Sequence, residues 1–257
     1  MSLFIIYIAA LLLCWGSFLN FIAYRLVHDV SFRRLRSFCP NCNYQIAWFD
    51  LLPVLSWLKL RGRCRNCLLP VSILYPAIEL TTVLIGFGLI YLTQVEHLLA
   101  YFIFVSALLI TIRTDLETML ISRFTTLFLI PIAFIFSLTY FGHDPLLPIN
   151  ISDSIRGALF GFFILYLTNQ IFLLLTKKDG MGQGDIDLLA MIGAFTGITG
   201  AWISLMIGSI TGSFIGITMI YAGSYKLNTK VPFGPFLAFG AIVYTLFQNQ
   251  LLRFIFY

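Results

Sequence analysis

Long apolar runs, separated by short polar segments, repeat along almost the whole chain. A membrane-spanning helix needs about 20 apolar residues, with a range of roughly 17 to 25. The runs predict eight spans, at residues 3–23, 76–93, 98–113, 124–141, 155–176, 188–201, 203–224 and 236–252. The break between the sixth and seventh spans rests only on the glycines of "GAFTGITGAW". The pattern therefore predicts an all-α polytopic membrane protein with about eight transmembrane helices.

The scarcity of charge supports this interpretation. Only 11% of the residues are charged, whereas a soluble domain carries about 25%. The first 25 residues have no basic stretch and no A-x-A cleavage site, so we expect a retained first span rather than a signal peptide. A lipid bilayer is the expected partner, and the net charge of +5 does not by itself indicate nucleic acid.

The basic residues are sorted by loop. With eight spans, most of them share one side of the membrane, and only Arg156 and Arg253 lie on the other. Basic loops mark the cytoplasmic side, so both termini are expected to be periplasmic. The residues on the basic side are Arg25, Arg33, Arg34, Arg36, Lys59, Arg61, Arg63, Arg65, Arg113, Arg123, Lys177, Lys178, Lys226 and Lys230.

Three parts are predicted: a first helix at 1–23, a cytoplasmic cysteine domain at 24–75 and a membrane domain of about seven helices at 76–257. The middle part contains "CPNC" and "CRNC", which hold Cys39, Cys42, Cys64 and Cys67. Two C-x-x-C pairs at about this separation are typical of a zinc site. Four thiolates close a tetrahedral sphere, so the pattern predicts a small zinc-ribbon-like loop with structural Zn²⁺.

Two other interpretations of the cysteines were weighed. Two disulfides are disfavoured because the cytosol keeps thiols reduced. A thioredoxin-like redox pair is the other alternative, but two matching pairs favour a metal. The fifth cysteine, Cys14, lies within the first predicted span and is expected to be an inert packing residue.

Four carboxylates form a second pattern. Asp115 and Glu117 lie in "RTDLETML", at the end of the third predicted span, and Asp185 and Asp187 lie in "GQGDIDLL", at the start of the sixth. Both motifs are predicted at the cytoplasmic edge of the membrane. Acids at membrane depth usually face a cavity and carry function.

The second motif includes Gly182 and Gly184, which allow backbone conformations and close approach that other residues do not. The alternative for the acids is a structural one, in which they are solvated or pair with Arg113, Arg123 or Lys178. The residues themselves leave three chemistries open. Paired aspartates sharing a proton would hydrolyse peptides, D-x-E and D-x-D could bind Mg²⁺ for phosphate transfer on lipids, and membrane acids could serve a transporter.

At this point the chain resembles the type IV prepilin peptidases (prepilin leader peptidase/N-methyltransferases), bacterial inner-membrane aspartic proteases with a G-x-G-D motif. The likeness covers nearly the whole chain, in order. It is carried by "GSFLNFIAYRL", by the cysteine loop through "LYPAIEL", by "TDLETMLI", by "GMGQGDIDLLA" and by "VPFGPFLAFGA".

The resemblance implies a function. Asp115 and Asp185 would be the catalytic pair, with Glu117, Asp187, Gly182 and Gly184 near the substrate. The enzyme would cut the leader of type IV prepilins or type II secretion pseudopilins after a glycine, with an active site facing the cytoplasm. It would then methylate the new N-terminus with S-adenosylmethionine, and Glu79 is the position implied for that step.

Three departures from the family pattern stand out. Ile121-Ser122-Arg123 replaces the usual Ile-Pro-Asp, and Asp187 replaces the usual Lys two places after the second catalytic aspartate. Leu74 replaces an arginine often found before the Tyr-Pro pair. An extra anion at Asp187 is expected to raise the pKa of a neighbouring aspartate and shift the pH optimum or the leader preference.

Overall fold

The computed structural model describes residues 2–28, 30–31, 36–139, 150–177, 180–222 and 231–256. The α-helices in these ranges are α1 (Ser2–Val27), α2 (Leu55–Lys59), α3 (Leu74–Leu92), α4 (Val95–Thr118), α5 (Arg123–Thr126), α6 (Leu129–Thr139), α7 (Ile151–Thr176), α8 (Gln183–Tyr221) and α9 (Gly234–Phe256). A 3₁₀ turn covers Trp48–Leu51. No strand occurs in these ranges, although two isolated β-bridges do. The all-α prediction is confirmed.

The count of eight spans is not confirmed. Five helices of the described residues are long and apolar enough to cross a membrane: Leu3–Val27, Leu74–Leu92, Val95–Thr118, Ile151–Thr176 and Gln183–Tyr221. The predicted fourth span corresponds to the shorter apolar stretch Arg123–Leu138. The predicted eighth span lies in α9, whose last turns contain Gln248, Asn249 and Gln250. These amides lower its apolar character.

The predicted sixth span and most of the seventh fall within α8, which covers 39 residues, and residues 223 and 224 lie outside the described ranges. A straight helix of that length would extend about 58 Å, well beyond the roughly 30 Å of a bilayer core. Gly197 interrupts α8 with φ 70° and ψ −174°, a left-handed region that glycine adopts at low cost. The break falls inside the "GAFTGITGAW" segment, where the sequence had indicated it.

The chain forms two compact units, Met1–Tyr91 and Leu92–Tyr257. Unit 1 contains α1, the cysteine loop and α3. Its two long helices pack closely, because a Cβ at Gly16 would lie 2.8 Å from the Cα of Glu79. The three-part division at residues 23 and 75 stays a prediction.

Unit 2 contains α4 to α9. Small residues bring its helices together: Gly157 on α7 meets Gly193 on α8, and Gly240 on α9 meets Ser204 on α8. The rings of Phe104 and Phe195 stack with centroids 4.7 Å apart, which joins α4 to α8. This packing fixes the end of α4 and the start of α8, where the predicted acids lie.

Candidate active site and metal centre

Asp115 lies in the last turn of α4 and is 4% exposed. The backbone N–H of Gly234, the first residue of α9, donates to its Oδ2 atom over 3.0 Å. A Cβ at Gly234 would lie only 2.7 Å from the same oxygen. The glycine therefore allows the start of α9 to approach the carboxylate and to orient it.

Asp185 lies in the first turn of α8, directly after the glycine segment. Gly182 is the N-cap of α8, and its carbonyl accepts a hydrogen bond from the Asp185 N–H over 3.2 Å. The Asp185 side chain is half-buried.

Ile121 connects the two acidic motifs. A Cβ at Gly184 would lie 2.7 Å from the Ile121 Cβ, and a Cβ at Gly234 would lie 2.9 Å from the Ile121 Cδ1. The turn after α4 is thus wedged between the start of α8 and the start of α9. Asp115 and Asp185 are close enough that the charge of Asp115 acts on Asp185. Unit 2 therefore brings the two predicted acids into one site.

The other two acids of the motifs have cationic partners. Arg113 donates to Glu117 over 2.5 Å, one helical turn away. Arg123 donates through Nε to Asp187 over 3.1 Å, and Gln183 also bonds Asp187. The structural alternative weighed for the acids thus applies to Glu117 and Asp187. Their substrate-contacting role, and the expected effect of Asp187 on its neighbours, stay predictions.

Asp115 and Asp185 differ from these two. Within the described residues, neither takes part in a salt bridge. Lys178, the remaining cation named in the structural alternative, lies outside those residues. The motifs thus supply two acids with arginine partners and, within the described residues, two acids without a salt bridge.

In unit 1 the four predicted cysteines converge. The sulfurs of Cys39, Cys42, Cys64 and Cys67 all lie within 4.8 Å of one another, and those of Cys39 and Cys67 are 3.8 Å apart. Tetrahedral zinc with Zn–S bonds of about 2.3 Å requires sulfurs about 3.8 Å apart. The four side chains fit such an ion, and the predicted cluster of four cysteines is present.

The two cysteine pairs have the same local geometry. Phe38 pairs with Gln45 in the first, and Arg63 pairs with Pro70 in the second. Asn43 and Leu68, at equivalent positions, both have positive φ, 55° and 58°. In the first pair, a backbone hydrogen bond from Tyr44 stabilises the thiolate of Cys42 and lowers its pKa to about 7. Such thiolates are ready to bind a metal.

The fifth cysteine differs from its prediction. Cys14 is exposed on α1, so it is not a packing residue of the protein core. The Cys14 side chain instead lies on the exposed surface of α1.

Glu79 lies on α3 in unit 1 and is 6% exposed. It accepts a hydrogen bond from the Val54 N–H over 2.8 Å and another from the Ser17 hydroxyl. Asn20, from the first motif of the chain, donates to the Tyr75 carbonyl over 3.1 Å. The residues that carry the family resemblance in unit 1 therefore contact one another, although they are far apart in sequence.

Two residues of the acidic site were not identified as such from the sequence. Gly234 stands in the motif "VPFGPFLAFGA", and Ile121 belongs to a segment that departs from the family pattern. The sequence signal for Gly234 is its position between two Pro–Phe pairs at the start of an apolar run. No sequence pattern indicates that it would donate a hydrogen bond to a residue 119 positions earlier.

Comparison with known proteins is consistent with both units. The family model for the Bacterial Peptidase A24 N-terminal domain matches residues 11–93, and that for the Type IV leader peptidase family matches residues 102–217. No solved structure matches the chain significantly.

Several curated relatives carry the name prepilin leader peptidase/N-methyltransferase. A protein of Aeromonas hydrophila is 36% identical over 85% of this chain and 73% of its own length. One from Myxococcus xanthus is 34% identical over 86% of this chain and 64% of its own. One from Pseudomonas aeruginosa is 30% identical over 84% and 73%, respectively.

Proposed function

This chain belongs to the type IV prepilin leader peptidase/N-methyltransferase family, and we propose that it cleaves the leader of a type IV prepilin or pseudopilin and methylates the new N-terminus. The observation that carries the peptidase proposal is the convergence of Asp115 and Asp185 around Ile121. Neither acid has a salt-bridge partner within the described residues, so both are available to a substrate.

Asp115 and Asp185 act as an aspartic protease pair. Two carboxyls at short distance share one proton, because two adjacent negative charges are unfavourable. The ionised member removes a proton from a bound water as the oxygen attacks the scissile carbonyl. The protonated member donates its proton to the carbonyl oxygen. When the C–N bond breaks, the leaving amine receives the proton taken from water.

The residues around the pair position it for this chemistry. The Gly234 N–H holds one oxygen of Asp115, which fixes the direction of its other oxygen. Gly182 is exposed and leaves space beside the Asp185 carboxylate for an extended peptide strand, whereas Gly184 lets the start of α8 pack against Ile121. General acid–base catalysis of this kind contributes about 10² to 10⁴ in rate.

The protein is a multi-pass protein of the bacterial inner membrane in this proposal. Both termini are periplasmic and the acidic pair faces the cytoplasm, as the distribution of basic loops predicts. A prepilin held in the bilayer by its own helix would present its leader on that same side. The acidic site would also attract a positively charged leader.

Zn²⁺ bound by the four cysteines serves a structural role. Four sulfurs complete its coordination, which leaves no open position for a substrate. The ion instead links the two cysteine pairs of a loop that has few buried apolar residues. Glu79 belongs to the methylation step, for which S-adenosylmethionine supplies an electrophilic methyl group.

The peptidase proposal is tested with purified protein in lipid nanodiscs and a prepilin whose processing shifts its gel mobility. Asp115→Asn and Asp185→Asn keep side-chain size and should each reduce cleavage by at least about 10²-fold, since they remove the shared proton. Asp153→Asn, an exposed acid on α7, is the matched control and should cleave normally. Cleavage by either active-site variant at the control rate would refute the assignment.

A further inference from the structure

A cavity of about 200 Å³ lies inside unit 1. Residues of α1, the cysteine loop and the start of α3 form its wall. One water needs about 10–15 Å³ by the same measure, so the cavity has room for roughly a dozen or more waters. Nothing in the peptidase chemistry uses it.

The cavity holds a buried acid. Glu79 lines it with a 6% exposed side chain, and within the described residues no cation forms a salt bridge with this carboxylate. Its known partners are the Val54 N–H and the Ser17 hydroxyl. Burying a carboxylate without a cation is costly. A positively charged ligand in the cavity would offset that cost.

The backbone beside Glu79 is strained in a way that serves the same carboxylate. Val54 has φ 60° and ψ −50°, and the Leu55 N–H donates to the Pro53 carbonyl over 2.6 Å. This is a γ-turn of the rare type, which a β-branched residue adopts only at a cost. Such strain concentrates at ligand sites. The turn directs the Val54 N–H to Glu79 and orients the carboxylate.

Aromatic and cationic groups complete the wall. Phe21, Tyr24, Trp57 and Tyr75 line the cavity, and aromatic faces attract cations and stack on flat heterocycles. Arg25 also lines it, 3% exposed, with its guanidinium 3.5 Å from the centroid of the Phe21 ring. An arginine is suited to a ligand carboxylate. The cavity thus offers an acid, aromatic faces and an arginine within one space.

From this combination we infer that the unit 1 cavity binds the methyl donor, S-adenosylmethionine, with its sulfonium beside Glu79 and its carboxylate toward Arg25. The donor carries one sulfonium cation, one α-amino acid group and one flat purine, and the wall has a complementary group for each. The inference rests on the proposed methylation. In that reaction the donor's C–S bond breaks, an N–C bond forms on the pilin amine, and the amine loses a proton.

Direct binding tests this inference. Full-length protein in nanodiscs is titrated with tritiated S-adenosylmethionine, and a parallel sample is photo-crosslinked to the donor and mapped by mass spectrometry. The label is expected on peptides within residues 11–91. Glu79→Gln should weaken binding about tenfold or more, because the neutral amide loses the attraction to the sulfonium. Glu96→Gln, an exposed acid on α4, is the matched control and should bind normally.

The glutamine variant also separates ligand binding from a purely structural role. Its amide oxygen still accepts the Val54 hydrogen bond, so the strained turn is retained. Bound zinc and the thermal midpoint report that unit 1 is folded. A folded Glu79→Gln protein with wild-type donor affinity, or a label confined to unit 2, would overturn the inference.

Failure of the proposed function has a different signature. Wild-type protein that cleaves the leader but neither binds the donor nor methylates the product would refute the methylation itself. Wild-type protein that methylates while the donor crosslinks outside unit 1 would refute only the cavity. The two results come from the same preparation.

Discussion

Arg123 and Asp187, 64 residues apart in sequence, form an ion pair over 3.1 Å at the edge of the acidic site. Each stands where the sequence departs from the family pattern: the usual acid is here an arginine, and the usual lysine is here an aspartate. The charge at each of the two positions therefore has the sign opposite to that of the family pattern. The arginine is 66% exposed, whereas the aspartate is 3% exposed.

The exchanged pair predicts that single changes are harmful and that the double change is tolerated. Arg123→Asp would place two acids together, and Asp187→Lys would place two cations together. Each single variant should lose about 1–3 kcal/mol of unfolding free energy, and Arg123→Asp/Asp187→Lys should recover most of it. Thermal unfolding in nanodiscs and leader cleavage measure both effects.

The control for this cycle is the exposed pair Arg156 and Asp153, whose nitrogen and oxygen are 3.7 Å apart. Exchanging these two charges should change stability by less than about 0.5 kcal/mol, as is usual for surface pairs. If the losses of unfolding free energy in the two single variants simply added up in the double variant, Arg123 and Asp187 would not be energetically coupled. That result would refute a stabilising ion pair between them.

A methyl group at Gly234 should disturb catalysis more than folding. Gly234→Ala places a Cβ 2.7 Å from Oδ2 of Asp115, so the carboxylate or the start of α9 must shift. A displacement near 1 Å at a catalytic group costs about 10²-fold in rate. Steady-state cleavage should therefore fall, while the thermal midpoint changes little.

Gly216→Ala is the matched control, because a Cβ there meets nothing within 4 Å. It should cleave at the wild-type rate. A Gly234→Ala enzyme with normal turnover would mean that the hydrogen bond from Gly234 does not position Asp115.

Removing one sulfur should release the metal. Cys42→Ser leaves three thiolates, and we expect bound zinc to fall from about one equivalent per chain toward zero after dialysis, with lower resistance of unit 1 to proteolysis. Elemental analysis measures the metal. Cys14→Ser, on the exposed face of α1, should keep its zinc. Full zinc retention by Cys42→Ser would remove this cysteine from the metal site.

Gly62 supports the same loop by a different contact. Its φ is 66°, and a Cβ would lie 2.8 Å from Cζ2 of Trp57, whose indole N–H donates to the Val71 carbonyl over 3.2 Å. Gly62→Ala should destabilise unit 1 by about 1–3 kcal/mol through backbone strain and overpacking. Tryptophan fluorescence during unfolding follows the loss, and an unchanged midpoint would contradict it.

Much of the helical content was predictable, because apolar periodicity reflects burial and bilayer contact directly. The cysteine cluster was predictable too, since metal geometry restricts the spacing of its ligands. The break at Gly197 was indicated by the glycines around it, but the number of spans was not confirmed, because helix length and apolar character alone identify five spanning helices among the described residues. The sequence also indicated both pairs of acids, but it could not assign partners to each.

That assignment depends in part on contacts between distant positions. Arg113 lies one helical turn before Glu117, so a helix alone brings this pair together, whereas only the fold places Arg123 beside Asp187, 64 residues away. The contact of Gly234 with Asp115 was equally invisible, since it joins residues on different helices. Local sequence patterns therefore located the acidic site, whereas tertiary packing determined which of its residues contact one another.

The repeated geometry of the two cysteine pairs has a consequence for the life of the protein in the cell. Each cysteine pair contributes only two of the four metal ligands. The two pairs lie in different parts of the segment that joins α1 to α3. The coordination sphere of the metal is therefore complete only after both cysteine pairs have been synthesised and have come together. Folding of the cysteine loop in unit 1 would then depend on the availability of zinc. Cells grown without zinc would accumulate enzyme in which the two cysteine pairs are not joined by a metal ion.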